Sequence, residues 1–115
     1  MDERLEKAFQ TANYMASLSN LRRVILEEFN QSLIYYTQGA TFTVDQNLIS
    51  FVKVLIDIGN TESIILDDNN IPVNITNLQE FFTKILSIYA EATNEYLQKY
   101  VDIKQKRKVE ALVNL

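Results

Sequence analysis

Neither cysteine nor histidine occurs in this chain of 115 residues. Without cysteine there is no disulfide, no thiolate metal ligand and no cysteine nucleophile. Without histidine the usual zinc ligands are missing, and so is the general base of a Ser/His hydrolase. Carboxylates remain as the only strong metal ligands, which removes most metalloenzyme and hydrolase chemistry from consideration.

Glycine and proline are scarce, with two and one residues respectively, so long regular elements are expected. A hydrophobic content of 47% and a net charge of −4 are typical of a folded domain and not of a disordered chain. The length predicts one compact domain over residues 1–115. The acidic start and the lack of any run of about 18 apolar residues predict a protein without secretion signal or membrane span.

The first 38 residues have helical composition and two apolar stripes about 120° apart. The longer stripe comprises Met15, Leu18, Leu21, Ile25, Phe29, Leu33 and Tyr36. The other comprises Leu5, Phe9 and Ala12. Heptad drift of about 20° is too small to explain the offset. Either the helix breaks near Ser17–Asn20, which is the interpretation we favour, or one long helix presents two faces to two neighbours.

The middle of the chain predicts a strand and a short helix. Gly39 suits the C-terminal cap of the first helical region, and Thr41 to Val44 alternate like a strand. Asp45 is a predicted N-cap for a central helix from Leu48 to Ile58. More than half of this helix's circumference is apolar, and its polar strip holds only Ser50, Lys53 and Asp57. Such a helix is buried in the core or covered by another subunit.

The segment "SIILDDNNIPVNI", residues 63–75, predicts a β-hairpin around an Asp/Asn turn. Pro72 indicates that its second arm is an edge strand or has a bulge. Its arms and Thr41 to Val44 are expected to form a three-stranded sheet. Thr76 and Gln79 form a predicted capping box for the last helix. The apolar stripe of that helix comprises Leu78, Phe82, Ile85, Tyr89, Ala92, Tyr96, Tyr100 and Ile103.

These patterns predict a mainly α fold with a small β element, of the α+β class. Two long helical regions, each with a stripe to bury, are expected to pack antiparallel. The central helix and the β-hairpin complete the predicted domain.

A basic run ends the last helix: Lys99, Lys104, Lys106, Arg107 and Lys108. Cations at a helix C-terminus are favoured by the helix dipole, so a solvated helix end explains them. The alternative is a nucleic-acid contact shared with Arg22 and Arg23. The net charge of −4 does not suit a nucleic-acid-binding domain as a whole.

The last seven residues contain four large apolar ones: Val109, Leu112, Val113 and Leu115. A straight continuation of the helix places Leu112 about 180° from Ile103, off the buried stripe. Either the helix ends near Lys108 and the tail folds back, or residues 109–115 form a docking tail that binds a partner.

No sequence pattern points to catalysis. The chain has no glycine-rich phosphate loop and no nucleophile elbow. Asp67 and Asp68 lack the spacing of a calcium loop and suit a turn whose side chains bond its own backbone. The tyrosines suit half-buried positions with solvated hydroxyls better than base stacking. We therefore expect a protein that is not an enzyme and takes no metal or cofactor.

Three stretches carry a resemblance: "MDERLEKAF..ANYMASLSN", "GATFTVDQNLISF" and "EATNEY..KY..IK.KR.VE.LV.L". They resemble small hypothetical proteins of myophages that infect marine cyanobacteria. The resemblance implies a phage-encoded protein in the host cytoplasm or in the virion, and no activity.

The surplus apolar helix surface leads to the functional expectation. We expect a non-enzymatic interaction, assembly or regulatory protein that forms a homo-oligomer and binds another protein. An accessory nucleic-acid-binding protein that uses the basic run is the alternative. No membrane contact is expected.

Overall fold

The computed structural model describes the backbone of residues 2–113 and the side chains of residues 2–105. The elements follow one another as α1 (Glu3–Ser32), β1 (Ile34–Thr37), β2 (Ala40–Thr43), α2 (Gln46–Asp57), β3 (Ser63–Leu66), β4 (Pro72–Ile75) and α3 (Leu78–Val113). The predicted mainly α fold with a small β element is confirmed.

The chain divides into two compact units. Unit 1 comprises Met1–Phe29 and Glu95–Leu115, and unit 2 comprises Asn30–Asn94. Helices α1 and α3 each contribute residues to both units. The single domain over residues 1–115 stays a prediction.

Unit 1 is an antiparallel pair of helical segments. Leu18, Ile25 and Ile103 form its buried cluster. The ring of Phe29 packs edge to face on Tyr96 at 4.7 Å between centroids. Along the contact, residue numbers fall on α1 from Phe29 to Leu18 and rise on α3 from Tyr96 to Ile103. The two segments therefore run in opposite directions. The predicted antiparallel packing is confirmed.

The predicted break at Ser17–Asn20 is wrong, because α1 is continuous from Glu3 to Ser32. The segment contains neither glycine nor proline, and its Leu18 is buried. The side chain of Asn20 accepts a hydrogen bond from the Arg23 side chain at 2.8 Å, one turn further along the same helix. One long helix therefore carries both apolar stripes. The longer stripe is only partly buried in unit 1, since Met15 and Leu21 are 49% and 40% exposed.

The end of the first helical region differs from the prediction as well. The residues Ile34–Thr37, "IYYT", form β1 because β-branched and aromatic side chains favour strands. Gln38 and Gly39 have φ angles of 53° and 72°. Two consecutive positive φ values are typical of a type I′ hairpin turn. Gly39 thus joins β1 to β2 and is not a helix cap.

The structure contains two separate two-stranded sheets among the described residues, β1–β2 and β3–β4, both antiparallel. The predicted hairpin of residues 63–75 and the predicted strand near Thr41 are confirmed, but the three-stranded sheet is wrong. The turn between β3 and β4 occupies the outer edge of β2 instead. Asp68 N–H donates to the Thr41 carbonyl at 2.9 Å, and Thr43 N–H donates to Asp68 Oδ1 at 3.0 Å.

Pro72 lies on an edge strand, as predicted, at a position where proline loses nothing. Asp67 N–H donates to the Ile71 carbonyl at 2.9 Å, and Leu66 pairs with Pro72 one step further along. Ladder bonds alternate in an antiparallel pair, so the nitrogen of Pro72 faces away from β3. The missing N–H therefore removes no hydrogen bond.

Side-chain caps begin the two later helices. Asp45 accepts from Leu48 N–H at 2.8 Å, which confirms it as the N-cap of α2. The predicted capping box of Thr76 and Gln79 is wrong by one residue. Asn77 accepts from Glu80 N–H at 3.0 Å and donates to the Glu80 carboxylate at 3.3 Å. Asparagine is as good an N-cap as serine and better than threonine, so the cap lies at the later position. The Glu80 carboxylate bonds the side chain of Asn77, not its backbone N–H.

The core of unit 2 lies where the two hairpins, α2 and the first part of α3 meet. Its buried residues are Ala40, Phe42, Val44, Val52, Ile65, Val73, Ile75, Leu78, Phe81 and Ile85. The predicted α3 stripe supplies Leu78 and Ile85 to this core. Phe81, which lies beside the stripe, is also buried, because it packs edge to face against Phe42 at 5.4 Å.

Ile85→Ala is expected to destabilise the protein by about 3 kcal/mol, because Ile85 is fully buried and its truncation leaves a cavity. The neighbouring Leu86→Ala is the matched control, since Leu86 is 40% exposed and its loss leaves no enclosed cavity. Urea unfolding followed by circular dichroism measures both. Equal losses in the two variants would contradict the core assignment.

The Asp67 carboxylate is 5% exposed and accepts three backbone N–H bonds: from Asn69 and Ile71 at 2.8 Å and from Thr41 at 3.2 Å. Burial by itself raises the pKa of Asp67. The bonds from Ile71, Thr41 and Asn69 together outweigh burial, and the pKa lies below its ordinary value. Asp67 therefore stabilises the fold in its charged form.

Because the pKa of Asp67 is lower in the folded state, its contribution is complete above about pH 5 and is lost as the pH falls through the folded pKa. Asp67→Asn is expected to lower Tm at neutral pH, and the gap to the wild type should narrow below about pH 4. Thermal melts from pH 7 to about pH 2.5 measure the gap. The exposed Asp57→Asn is the control, and a gap for Asp67→Asn that is constant with pH would refute the charge dependence.

Candidate interaction surfaces

Helix α2 has an uncovered apolar side. Val52 is fully buried, and the neighbouring apolar residues of α2 pack around it. Phe51, Val54 and Ile58 are nevertheless 49%, 56% and 69% exposed. Spacings of three and four residues place these three on one face, which we name the α2 strip. The predicted apolar surface of this helix therefore has two parts: one side is buried in the core of unit 2, and the α2 strip is exposed.

The polar side of α2 is distinct from the α2 strip. Lys53 Nζ pairs with an Asp57 carboxylate oxygen at 3.0 Å, and both side chains are more than half exposed. Ser50 is exposed beside them. These are the three predicted polar positions. Lys53 lies furthest from the α2 strip, whereas Ser50, four residues before Val54, borders it.

Helix α1 carries a second uncovered surface. Every residue from 3 to 13 is exposed, including Leu5 at 48% and Phe9 at 53%. Leu5, Phe9 and Ala12 form the shorter of the two predicted stripes, which we name the α1 face. Leu18 and Ile25, on the other stripe, pack on α3 within unit 1. The described residues of unit 1 therefore bury one stripe and leave the other in solvent.

The β3–β4 hairpin exposes apolar side chains that the sequence interpretation did not single out. Ile64 and Leu66 are 66% and 58% exposed, while Ile65 between them is buried. Alternation along β3 places Ile64 and Leu66 on the outer face of the hairpin. The run "SIIL" indicates the opposite, because Ile64 and Leu66 form its more apolar face in sequence, whereas Ile65 shares its face with Ser63.

Part of the predicted basic run is neutralised within unit 1. Lys99 Nζ pairs with the Glu28 carboxylate and with Glu95 Oε1, the latter at 3.0 Å. The hydrogen bond to Glu28, and after it the one to Glu95, raise the pKa of Lys99 above its ordinary value. Arg23 similarly pairs with Glu27 at 3.0 Å. The side chain of Lys104 is exposed, whereas those of Lys106, Arg107 and Lys108 lie outside the described residues.

The predicted docking tail falls largely outside the described residues. The backbone of α3 is helical to Val113, so the alternative in which the helix ends near Lys108 and the tail folds back is wrong. The side chains of Val109, Leu112 and Val113 are not described, and Leu115 lies outside the described chain altogether. Partner binding by these four residues stays a prediction.

The acidic turn is occupied by the protein's own groups. Asp67 accepts three backbone N–H bonds, and Asp68 Oδ2 accepts from the Thr43 hydroxyl at 2.7 Å. These contacts are those of a turn, with the addition of β2, which the sequence interpretation did not include. Among residues 2–105, no group of three or more acidic side chains is placed to hold a metal ion.

A groove of about 740 Å³ lies within unit 2. Tyr35, Thr37 and Gln38 line it from β1 and its turn, and Glu80, Lys84 and Ser87 line it from α3. The ring of Tyr35 lies 6.1 Å from that of Phe81, which also lines the groove. The sequence interpretation missed this groove, because it assigned Tyr35 to a helix.

Within the part of the chain that the structure describes, no helix combines the length and hydrophobicity needed to cross a membrane. Comparison with known proteins yields no matching family model, no matching curated protein and no matching solved structure.

Proposed function

We propose that this protein is a non-enzymatic interaction protein, an assembly or regulatory component, which self-associates through its uncovered helix faces. The observation that carries this proposal is the α2 strip. Phe51, Val54 and Ile58 lie in line on a helix whose opposite side is fixed in the core of unit 2. Large apolar side chains held in line on a rigid helix are typical of a contact surface.

The size of the α2 strip limits how tightly it holds a second copy. Burying the exposed half of one such side chain contributes about 1 kcal/mol. A symmetric dimer uses the same patch twice, so six side chains contribute about 6 kcal/mol. Association itself costs about 4 kcal/mol or more. About 2 kcal/mol at most remains for the α2 strip alone, which corresponds to a dissociation constant of roughly tens of millimolar. An oligomer that forms at micromolar concentration therefore needs further apolar surface.

The α1 face supplies such surface. Residues 3–13 form three turns of helix whose side chains are exposed on every side. These turns continue the packed part of α1 but gain no packing from the described residues, and tertiary packing supplies most of a helix's stability in proteins. Leu5 and Phe9 on a partner's surface would stabilise it, so contact there and helix formation support each other.

The proposal includes an origin and a location. The resemblance to myophage proteins supports a phage-encoded component that acts in the host cytoplasm or in the virion. A further protein partner is part of the proposal, with the tail of Val109, Leu112, Val113 and Leu115 as its candidate contact.

Val54→Glu and Ile58→Glu are expected to abolish or weaken self-association, because each places a charge in the middle of the apolar contact. Lys53→Glu on the polar side of α2, about 100° from Val54 around the helix, is the matched control. Sedimentation equilibrium from about 1 to 200 µM measures the mass. A wild type that stays monomeric throughout, or a Val54→Glu variant with the same association constant, would refute a contact through the α2 strip.

Phe9→Glu tests the α1 face separately. It is expected to weaken the oligomer and to reduce the helix content at high protein concentration, because residues 3–13 then lose their packing. Gln10→Glu, on the same turn of α1, is the control. The measurements are sedimentation and circular dichroism at about 5 and 200 µM. If Phe9→Glu left both unchanged while Val54→Glu dissociated the oligomer, the α2 strip alone would be the contact.

A further inference from the structure

The two edges of the β1–β2 hairpin are unequal. Val44 N–H donates to the Leu33 carbonyl at 2.8 Å, and Ile34 pairs with Thr43 in the next position. Bonded and non-bonded pairs alternate in an antiparallel ladder, so the Tyr36–Thr41 pair is not bonded across the hairpin. The backbone groups of Thr41 and of Tyr36 therefore face away from each other, towards the two outer edges.

The outer edge of β2 is filled. Thr41 N–H donates to Asp67 Oδ2, the Thr41 carbonyl accepts from Asp68 N–H, and Thr43 N–H donates to Asp68 Oδ1. These bonds leave β2 with no room for another strand. They also confirm that the backbone groups of successive residues alternate between the inner and the outer side of the hairpin. The same alternation places the N–H and carbonyl of Tyr36 on the outer side of β1.

The outer edge of β1 has no such cover. β1 pairs only with β2, and no described residue bonds to the Tyr36 N–H or carbonyl. An open strand edge is a template for a further strand. The groove of about 740 Å³ runs along the same strand, since Tyr35, Thr37 and Gln38 line it. Its volume is within the range of about 300–1,000 Å³ that binding sites occupy.

We propose that β1 takes up an extended peptide from a partner protein as an added strand, with alternate side chains of the peptide entering the groove. The peptide's backbone pairs with the N–H and carbonyl of Tyr36, and one apolar side chain packs near Tyr35 and Phe81. This inference rests on the proposed interaction function and names the form of the partner.

The charges of the groove specify the peptide further. Lys84 lines the groove and has no ion-pair partner among the described residues. Glu80, the acidic residue of the lining, accepts a hydrogen bond from the Asn77 side chain. An acidic peptide residue placed opposite Lys84 and away from Glu80 therefore complements this part of the groove. A second copy is the less suitable occupant, because its β1 reads "IYYT" and contains no acidic residue.

The test begins with a displayed library of random peptides of about twelve residues, selected on the full-length protein. Selected peptides are then synthesised with a fluorescent label and titrated by anisotropy. We expect peptides with a central apolar residue and a neighbouring Asp or Glu.

Tyr36→Pro removes the outward N–H and is expected to weaken binding at least about tenfold. Pro72 shows that an outward-facing edge position in this fold accepts proline. Tyr36→Phe keeps the N–H and should bind as the wild type does. Lys84→Glu should weaken binding, and Lys84→Arg should preserve it.

A second measurement avoids dependence on how Tyr36→Pro folds. Methylating the peptide's backbone nitrogens one at a time should abolish binding at alternate positions only, since alternate N–H groups face β1. Equal effects at all positions, no enrichment in the selection, or undiminished binding to a folded Tyr36→Pro variant would overturn the proposal. Dissociation of a wild-type oligomer by Tyr36→Pro without any enriched peptide would assign the edge to a second copy and overturn it too.

The same titrations with Val54→Glu separate this inference from the proposed self-association. Binding to wild type and Val54→Glu alike supports the peptide site, even where sedimentation shows only monomers. An oligomer that depends on Val54 but binds no selected peptide would support self-association and overturn the peptide site.

Discussion

The attachment of the acidic turn to β2 is the interaction on which unit 2 depends. Asp67 and Asp68 lie between β3 and β4, yet their carboxylates and one backbone N–H bond to Thr41 and Thr43 of the other hairpin. A two-stranded hairpin alone is marginal in water. The bonds join the two hairpins, so that Phe42 of the first hairpin and Ile65 of the second lie in a common core with α2 and α3. It also closes the edge of β2 and leaves that of β1 open.

Charge and apolar surface are distributed differently in the two units. In unit 1, ion pairs neutralise Lys99 and Arg23, which the sequence suggests as contacts for nucleic acid. Exposed ion pairs contribute little to the free energy of unfolding. The main consequence of these pairs is therefore a change in the local charge. In unit 2 the α2 strip remains exposed although the core beside it is fully formed. Uncovered apolar helix surface therefore occurs in each unit, on α1 in unit 1 and on α2 in unit 2.

Local signals predicted much of the fold. Asp45 caps α2 because the side chain needs only the N–H three residues ahead, and the hairpin of residues 63–75 follows from β-rich arms around an Asp/Asn turn. The errors arose where two local preferences compete. Residues Ile34–Thr37 fit the apolar pattern of a helix as well as that of a strand. They form a strand in the structure, and Tyr35 of this strand packs near Phe81. Ser17–Asn20 contains good caps, but burial of Leu18 against the partner helix favours continuity.

The sequence by itself determined the helical character of α1, α2 and α3, the β3–β4 hairpin, the absence of cysteine and histidine, and the presence of more apolar helix surface than one small core uses. Composition and periodicity are local properties, so they are visible in one dimension. Only the tertiary structure decided which faces remain open: the outer side of α2, the Leu5–Phe9 side of α1 and the edge of β1. The reason is that exposure depends on long-range partners, and the bonds from Asp67 and Asp68 to β2 join residues more than twenty positions apart.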